Sequence, residues 1–442
     1  MSEENPPKQL KRELSWFGSA CMGLASVIGV GIFVSIGIAA GISGFAVIGA
    51  LVVAGLLGAC NSLNLAQLAV SHPVSGGIYE YGYKYLTPVL GFTGGWIYFL
   101  SKTAVAATAA LGFAGYLLNT IGVNESGILV LVAEAAVLVV TLIALGGARR
   151  FKVTTIAVVS VTILSLLFLI IVGSFLCLVN GFENLTFASA NYGNWLKNFL
   201  ESVALMFVAY NGAARISMMG EEITEPRKNI PKAIVFTIVV TMLLYVGVAV
   251  VSLGSIGVEA FSAATTEQAA PLQVVASSFG IPGAANILAV GAITSMLSIL
   301  LTIILGVSRI LLAMGRRGDM PSFFAQLNNS GTTPYWAVLF LGMAIALLVL
   351  TGDVKVTWSF AAFGSMYRCF IVSLAALQLS QQQRLYPQWL SWLSLFSSLF
   401  LAFWVEWQIW LIGLGVIGVG VVWHVVIQRF NFAVRLEPKV SE

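Results

Sequence analysis

The sequence predicts an all-α integral membrane protein with twelve transmembrane helices. Of its 442 residues 59% are hydrophobic and only 9% are charged, and the mean hydropathy is +0.95, a composition unlike that of a soluble domain. Apolar stretches of about 17 to 25 residues recur along the whole chain, and each is long enough to cross a hydrocarbon core of about 30 Å as a helix. Two of these stretches are interrupted by glycines beside polar or aromatic residues.

The apolar stretches divide the chain into a helical region between two short tails. We place the predicted helices at 15–40, 44–70, 84–118, 125–147, 153–179, 196–218, 232–255, 282–314, 333–351, 356–379, 386–403 and 405–428. Residues 1–14 and 429–442 form the tails. A core at 15–379 contains the first ten helices, and 380–428 contains the last two.

The charges of the short loops predict the orientation. An even number of helices places both termini on one side, and that side collects Lys8, Lys11, Arg12, Lys84, Arg149, Arg150, Lys152, Arg227, Lys228, Lys232, Arg316, Arg317, Arg384, Arg429, Arg435 and Lys439. The opposite loops hold only Lys197 and Lys355. By the positive-inside rule we expect cytoplasmic termini in the plasma (inner) membrane. This bias accounts for the net charge of +4, so we infer no nucleic-acid partner.

The residue types of catalytic and metal centres are scarce. The cysteines and histidines are Cys21, Cys60, Cys177, Cys369, His72 and His424, and they show no metal-ligand spacing. Neither a Walker motif nor a catalytic constellation is present. We therefore expect no enzyme activity, no metal and no cofactor.

The two glycine-containing interruptions point to a binding site. Ser26–Phe33 (SVIGVGIF) lies in the first predicted helix and Phe207–Gly212 (FVAYNG) in the sixth. In lipid an unpaired backbone group is costly, so a helix unwinds only where the freed groups face a cavity or a ligand. Paired interruptions in two halves are typical of the substrate site of a transporter. Their spacing predicts five helices repeated with inverted topology, followed by two more.

Four motifs follow one another along the chain: Ile28–Phe33 in helix 1, Pro73–Tyr81 before helix 3, Gly220–Pro231 after helix 6 and Ser308–Pro321 at the end of helix 8. Together they resemble the amino acid permeases of the amino acid-polyamine-organocation superfamily. The resemblance covers nearly the whole chain. It implies the leucine-transporter fold, with its five-plus-five inverted repeat, and amino acid transport.

The first interruption offers hydrogen-bond donors. Gly29 and Gly31 leave the amides of Val30 and Gly31 accessible where the second half of the helix begins, at the positive end of its dipole. Such a place suits a carboxylate. Alternatively, the glycines serve only close helix packing.

The same stretches offer acceptors. Carbonyl groups freed at Val27, Val208 and Asn211 suit an ammonium group. The resemblance assigns these donor and acceptor positions to the α-carboxylate and the α-amino group of an amino acid.

The resemblance also places side chains beside the substrate. Tyr210 corresponds to an aromatic residue next to the ligand, and Ser26 to a position where a hydroxyl reaches it. Phe207 lies on nearly the same helical face as Tyr210, and either ring could cap the ligand or merely pack. The predicted substrate-binding residues are Ser26, Val27, Ile28, Gly29, Val30, Gly31, Phe207, Val208, Tyr210, Asn211 and Gly212.

A lysine deep in helix 3 is the candidate for proton coupling. Proton-dependent or sodium-independent relatives often carry a lysine in helix 5, where this chain has Thr162 or Ser160. Lys102 could take that role, because burial favours the neutral amine and allows proton exchange. The alternatives are a structural ion pair with Glu134 or snorkelling of the amine to the interface.

Three hydroxyls of helix 8 form a possible sodium site. Thr294, Ser295 and Ser298 are spaced so that they could face helix 1 and ligate a hard cation. Hydroxyls in helices, however, commonly bond to their own backbone.

Charged residues along the pathway are the predicted gate. Many relatives carry an acid after the helix 6 interruption, where this chain has Ala214 followed by Arg215, which disfavours cationic substrates and allows anionic ones. Arg368 in helix 10 pairs across the pathway, with Glu201 as a partner, or lies near an interface. Glu222 belongs to a charged cytoplasmic run that we expect to latch the inner gate.

Together these features predict a secondary active transporter that works by alternating access in the lipid bilayer. Its expected substrate is a neutral L-amino acid, taken up with a proton. Amino acid exchange and sodium symport are the alternative modes. A membrane amino acid sensor or a channel on the same fold is the alternative of a different class.

Overall fold

The computed structural model describes residues 14–72, 77–123, 125–146, 151–181, 194–218, 223–328 and 333–436. Within these ranges the chain is helical and forms no strand, apart from one isolated bridge between Leu14 and Ile223. The all-α prediction is confirmed for this part of the chain.

Helices cover every predicted apolar segment. They are α1 (Trp16–Val27), α2 (Ile36–Ser43), α3 (Val47–Ser71), α4 (Ile78–Tyr85), α5 (Pro88–Ile121), α6 (Ser126–Leu145), α7 (Phe151–Asn180), α8 (Trp195–Tyr210), α9 (Ala214–Met218), α10 (Pro226–Thr266), α11 (Pro271–Ser277), α12 (Ala284–Arg317), α13 (Tyr335–Val349), α14 (Val354–Leu377), α15 (Gln388–Ala402) and α16 (Trp407–Leu436). The first and the sixth predicted segments each contain two helices, α1 with α2 and α8 with α9.

The structure differs from the prediction at 256–281, between the predicted helices 232–255 and 282–314, where the sequence predicted no helix. The helix α10 continues to Thr266 across a kink at Gly257, whose φ of 76° is easy only for glycine. The short helix α11 then follows. Hydropathy placed the end of the helix at 255 because the apolar run stops there, whereas the helical backbone continues beyond it.

Several helices are long and apolar enough to cross a bilayer. In the described chain these stretches are Gly31–Ser71, Pro88–Ile121, Gly127–Leu145, Ile156–Val179, Pro226–Thr266, Ala284–Arg317, Val354–Leu377 and Trp407–Arg429. The helices α1 and α13 are apolar but shorter. The chain is therefore a multi-pass membrane protein.

The helices α5 and α14 form the interior of the bundle. In its most apolar stretch each has 72% of its residues buried, against 22% for α16 at the periphery. Interior positions of α5 are occupied by alanines that are fully buried, namely Ala104, Ala106, Ala107, Ala109 and Ala110. In lipid, where burial of apolar surface does not drive helices together, such small residues let backbones approach and gain van der Waals contact.

The two predicted interruptions differ in backbone form. At the first interruption α1 ends at Val27, Ile28 takes extended backbone with φ −77° and ψ 106°, and a π-helical turn at Gly31–Ser35 leads into α2. At the second interruption α8 passes through a 3₁₀ turn at Asn211–Ala213 directly into α9. The first is thus unwound, whereas the second is a tightened but continuous helix.

Candidate functional site

The two interruptions lie against each other inside the bundle. A methyl group added to Gly212 would lie 2.1 Å from the carbonyl oxygen of Ser26, and one added to Gly31 would lie 2.7 Å from Cβ of Ala209. Neither position has room for a larger residue. These glycines therefore serve close packing, and the same closeness brings the backbone groups of both interruptions together.

The helix that follows the first interruption starts at Gly29. Its carbonyl accepts hydrogen bonds from the amides of Ile32 and Phe33, both at 3.0 Å. The amides of Val30 and Gly31 fall in this first turn, where a helix has donors without intrahelical acceptors and the positive end of its dipole. Val30 is 1% exposed, so an anion at these amides would be shielded from water.

Tyr245 of α10 joins the two interruptions. Its hydroxyl donates to the carbonyl of Val27 at 2.9 Å and to that of Ala209 at 3.4 Å. The carbonyls of Val208 and Asn211 accept amides around the 3₁₀ turn. Each predicted acceptor thus has one partner and keeps a second lone pair. Sequence reasoning missed Tyr245, whose signal is a phenol within the apolar run of α10.

The predicted capping aromatics are buried. The ring of Tyr210 packs on α3, where methyl groups added to Gly55 and Gly58 would lie 3.1 and 2.9 Å from its atoms. Its hydroxyl has no hydrogen-bond partner among the described residues. Phe207 is 2% exposed, and the hydroxyl of Ser26 bonds to its own helix. Capping of a ligand at the first interruption therefore requires Tyr210 to turn away from α3.

The three hydroxyls of the possible sodium site differ in their contacts. Ser295 donates to the carbonyl of Ile28 at 3.0 Å and so lies on the first interruption. Thr294 instead bonds back to its own helix at 2.7 Å, and Ser298 is half-buried. Thr162 of α7 approaches a carbonyl of α12 at 3.4 Å.

Arg368 of α14 reaches the second interruption. It is 4% exposed, and its guanidinium donates to Oδ1 of Asn211 at 2.7 Å and to the sulfur of Cys369 at 3.4 Å. Glu201, the possible partner named from the sequence, is in none of the ion pairs of the described residues; the nearby Lys355 pairs with Glu406 at 2.5 Å. The expected Arg368–Glu201 pair is not formed, because α14 presents the guanidinium to an amide at the second interruption.

Lys102 of α5 lies near two further cations. Its Nζ is 5.8 Å from the centre of the Tyr98 ring, and it interacts electrostatically with Arg368 and Arg215. Among the described residues the ion pairs include none of these three cations, so the pair of Lys102 with Glu134 is not formed. We call Lys102, Arg215 and Arg368 the central cation cluster.

The predicted inner gate is described only in part, since Glu222 and residues 219–221 lie outside the described residues. Where the structure continues, the amide and the hydroxyl of Thr224 donate to the carbonyl of Leu14 at 3.0 and 3.1 Å. The segment before α1 therefore docks on the segment before α10. The nearby pair of Lys228 with Glu225 is exposed and 3.7 Å long, so it adds little stability.

A second polar cluster joins α4, α16 and the segment after α12. This inner cluster consists of Tyr79, Tyr83, Arg317, Asp319 and His424. Both phenols donate to one carboxylate oxygen of Asp319, that of Tyr79 at 2.6 Å, and Nδ1 of His424 lies 3.4 Å from the other oxygen. The guanidinium of Arg317 lies over the rings of Tyr79 and Tyr83, 5.2 and 4.1 Å from their centres. Two of the four sequence motifs thus meet in space, a contact that the sequence did not reveal.

Comparisons with known proteins agree on one family. The family model for the amino acid permease matches residues 18–430. An uncharacterized transporter of Mycobacterium tuberculosis (strain ATCC 25618 / H37Rv) is 30% identical over 385 residues, which cover 86% of this chain and 84% of the relative. The branched-chain amino acid permease BcaP of Bacillus subtilis (strain 168) is 28% identical over 399 residues, 86% of this chain and 83% of the relative. The cationic amino acid transporter 3, mitochondrial, of Arabidopsis thaliana is 26% identical over 385 residues, 84% of this chain and 62% of the relative.

Proposed function

Because this chain belongs to the amino acid permease family, whose members are transporters and not enzymes, we propose that it is a secondary active transporter of an L-amino acid. The family expected from the four motifs is thereby confirmed. The observation that carries the proposal is the contact of two helix interruptions inside the bundle, with Gly212 against the backbone of Ser26. Transport proceeds by alternating access without nucleotide hydrolysis.

The architecture proposed for this activity has twelve transmembrane helices. Five and five form an inverted repeat within 15–379, and two more follow in 380–428. The positions of the interruptions, in the first and the sixth helical segments, support this repeat. The excess of Lys and Arg in the loops on one side supports cytoplasmic termini in the plasma membrane.

The substrate backbone binds between the interruptions. Its α-carboxylate takes the amides of Val30 and Gly31, and its ammonium group takes the second lone pairs of the carbonyls at Val27, Val208 and Asn211. The burial of these groups supports this assignment, because hydrogen bonds to charged groups are stronger away from water.

The side chain of the substrate is not cationic. Among the described residues none of the ion pairs lies at the second interruption, and the charged groups there are the cations of the central cluster. A cationic side chain would meet like charge. Two of the three relatives reported above are named for branched-chain and for cationic amino acids, so the names of the relatives do not fix the side chain of the substrate.

Lys102 couples substrate movement to a proton in this proposal. It is half-buried in α5, lies near the ring of Tyr98 and interacts electrostatically with Arg215 and Arg368. An ionisable side chain inside a membrane bundle is a candidate for proton transfer. The two alternative modes make different demands. Exchange of amino acids needs no proton-binding group, and sodium symport needs a sodium site that includes Ser295.

Uptake into liposomes that contain the purified protein tests the function. A panel of labelled L- and D-amino acids is measured while the proton gradient, the sodium gradient and the internal amino acid are varied separately. We expect saturable, stereoselective uptake driven by external acid. Uptake that needs only internal amino acid would make the protein an exchanger, and no uptake of any amino acid would favour a sensor or a channel.

A lysine variant tests the coupling. In Lys102→Ala we expect substrate binding to persist while proton-driven uptake is lost. The control is Lys197→Ala, which changes an exposed lysine at the start of α8 and should leave uptake unchanged.

A further inference from the structure

Three cations from three helices lie near the second interruption. Arg368 of α14 is bound to the side chain of Asn211 at 2.7 Å, and Arg215 of α9 follows Asn211 by four residues, about one helical turn. Lys102 of α5 interacts electrostatically with both arginines. The cluster is therefore built around a residue of the proposed substrate site.

Helix packing keeps the cations together. Ser101 of α5 donates to the carbonyl of Ala361 at 3.0 Å and lies 3.3 Å from the hydroxyl of Ser365. Lys102 is the next residue on α5, and Arg368 lies three residues beyond Ser365 on α14. The direct contacts of the two backbones thus fix both cations in one region of the bundle.

The charge of the cluster is not balanced by the described part of the protein. None of its three cations has an acidic partner there. Deprotonation of Lys102 would remove one charge, but the two arginines stay charged at any working pH. A charge shielded from water without a counter-charge is costly, so the buried guanidinium of Arg368 and the half-buried one of Arg215 favour binding of an anion.

Unused donors accompany this charge. A guanidinium carries five N–H groups, and the hydrogen bonds of Arg368 use Oδ1 of Asn211 and the sulfur of Cys369. The amide nitrogen of Asn211 is buried without a partner. Guanidinium groups and an amide donor are the groups that recognise a carboxylate, often by two parallel hydrogen bonds.

We infer that the central cation cluster binds an anionic side chain of the substrate, so that the transported molecule is an acidic amino acid. The inference rests on the proposed function and names the substrate class of the same site. It replaces the neutral side chain expected from the sequence. The backbone of the substrate lies between the interruptions, and its side-chain carboxylate lies toward Arg215, Arg368 and the amide of Asn211.

Matched pairs of amino acids test this inference. L-Glutamate and L-glutamine, and L-aspartate and L-asparagine, differ in charge but hardly in shape. In the liposome assay we expect each acid to inhibit uptake at concentrations about 10-fold or more below those of its amide, since a hydrogen bond to a charged group contributes about 1.5–3 kcal/mol. An amide that binds as well as its acid would overturn the inference and leave the transport function intact.

Two charge variants make the test specific to the cluster. In Arg215→Gln we expect the ratio of glutamate to glutamine affinity to fall about 10-fold or more, with glutamine binding preserved, whereas Arg215→Lys keeps most of the preference. Lys102→Gln should lower the same ratio, measured here as binding to the purified protein, because this variant is expected to lose proton-driven uptake and to keep substrate binding. Both side chains are half-buried, so these changes disturb packing less than a change at Arg368 would.

A competing anion gives the remaining outcome. If chloride fills the cluster, neutral amino acids are taken up and their uptake requires chloride. Each acidic amino acid then inhibits uptake no better than its amide. This result would overturn the inference. If no amino acid is taken up, the proposed function itself fails, and the inference fails with it.

Discussion

The two buried polar clusters of this protein differ in how their charges are matched. In the inner cluster Asp319 accepts two phenols and faces His424, while Arg317 pairs with Glu80 at 2.6 Å. In the central cation cluster three positive groups meet, and the described chain supplies no acid to them. The inner cluster has acids from the chain itself, Asp319 and Glu80, whereas the central one takes its counter-charge from a bound anion in the proposal above.

This difference separates structural charges from functional ones. A matched buried pair contributes little net stability, but removal of one partner leaves the other unpaired and destabilises strongly. An unmatched charge destabilises the empty protein, so its removal relieves strain. Removal of a charge from the inner cluster should therefore lower stability. Removal of a charge from the central cation cluster should leave stability unchanged or raise it.

The largest loss of stability is expected in the inner cluster. In Asp319→Ala the hydroxyls of Tyr79 and Tyr83 lose their buried acceptor, and we expect unfolding free energy to fall by about 3–5 kcal/mol. Thermal unfolding of the purified protein in detergent measures the change. As a control, Glu80→Gln breaks the more exposed pair with Arg317 and should cost no more than about 1 kcal/mol. Equal effects of the two variants would contradict the structural role of Asp319.

The next largest effect is expected where the interruptions touch. In Gly212→Ala the new methyl group would overlap the backbone of Ser26, and we expect a loss of about 1–3 kcal/mol together with loss of uptake. Gly306→Ala in α12 is the matched control, because nothing lies within 4 Å of the added methyl group. Uptake by Gly212→Ala at the rate of this control would show that the interruptions need not touch during transport.

A smaller effect is expected at the hydroxyl that joins the interruptions. In Tyr245→Phe the carbonyls of Val27 and Ala209 lose their donor, and we expect a loss of about 1–2 kcal/mol. Tyr210→Phe is the control, because that hydroxyl has no partner among the described residues. Thermal unfolding should separate the two variants, and a larger loss in Tyr210→Phe would mean that its hydroxyl has a partner in the membrane.

Hydropathy predicted the helices because the bilayer requires long apolar segments. The third predicted helix, at 84–118, corresponds to α5 at Pro88–Ile121, within four residues at each end. The short helix α11 was missed because it is too short to cross a membrane. The second interruption turned out milder than a break, since a 3₁₀ turn lets the backbone keep its hydrogen bonds at Asn211–Ala213.

The partners of charged side chains could not be predicted from the sequence. The sequence offered Glu134 in helix 4 as a plausible partner for Lys102, yet the packing of α5 on α14 brings Arg368 near Lys102 instead. The contact of Tyr245 with Val27 joins residues far apart in the chain for the same reason. Such contacts depend on helix rotation, which a pattern of apolar residues does not determine.

The smallest change in stability, and the sharpest contrast with Asp319, is expected at Lys102. In Lys102→Met the substitution removes an unmatched charge beside Arg215 and Arg368 and keeps an apolar stem of similar length. We expect the unfolding free energy to stay within about 1 kcal/mol or to rise, because replacing buried charge by apolar groups is often neutral or stabilising. Proton-driven uptake should fall in Lys102→Met. It should also fall in Lys102→Arg, because an arginine retains the charge but cannot exchange its proton. Thermal unfolding and uptake are measured on one preparation. A loss of stability as large as that of Asp319→Ala would mean that Lys102 is a matched structural charge, and the two clusters would then no longer differ in kind.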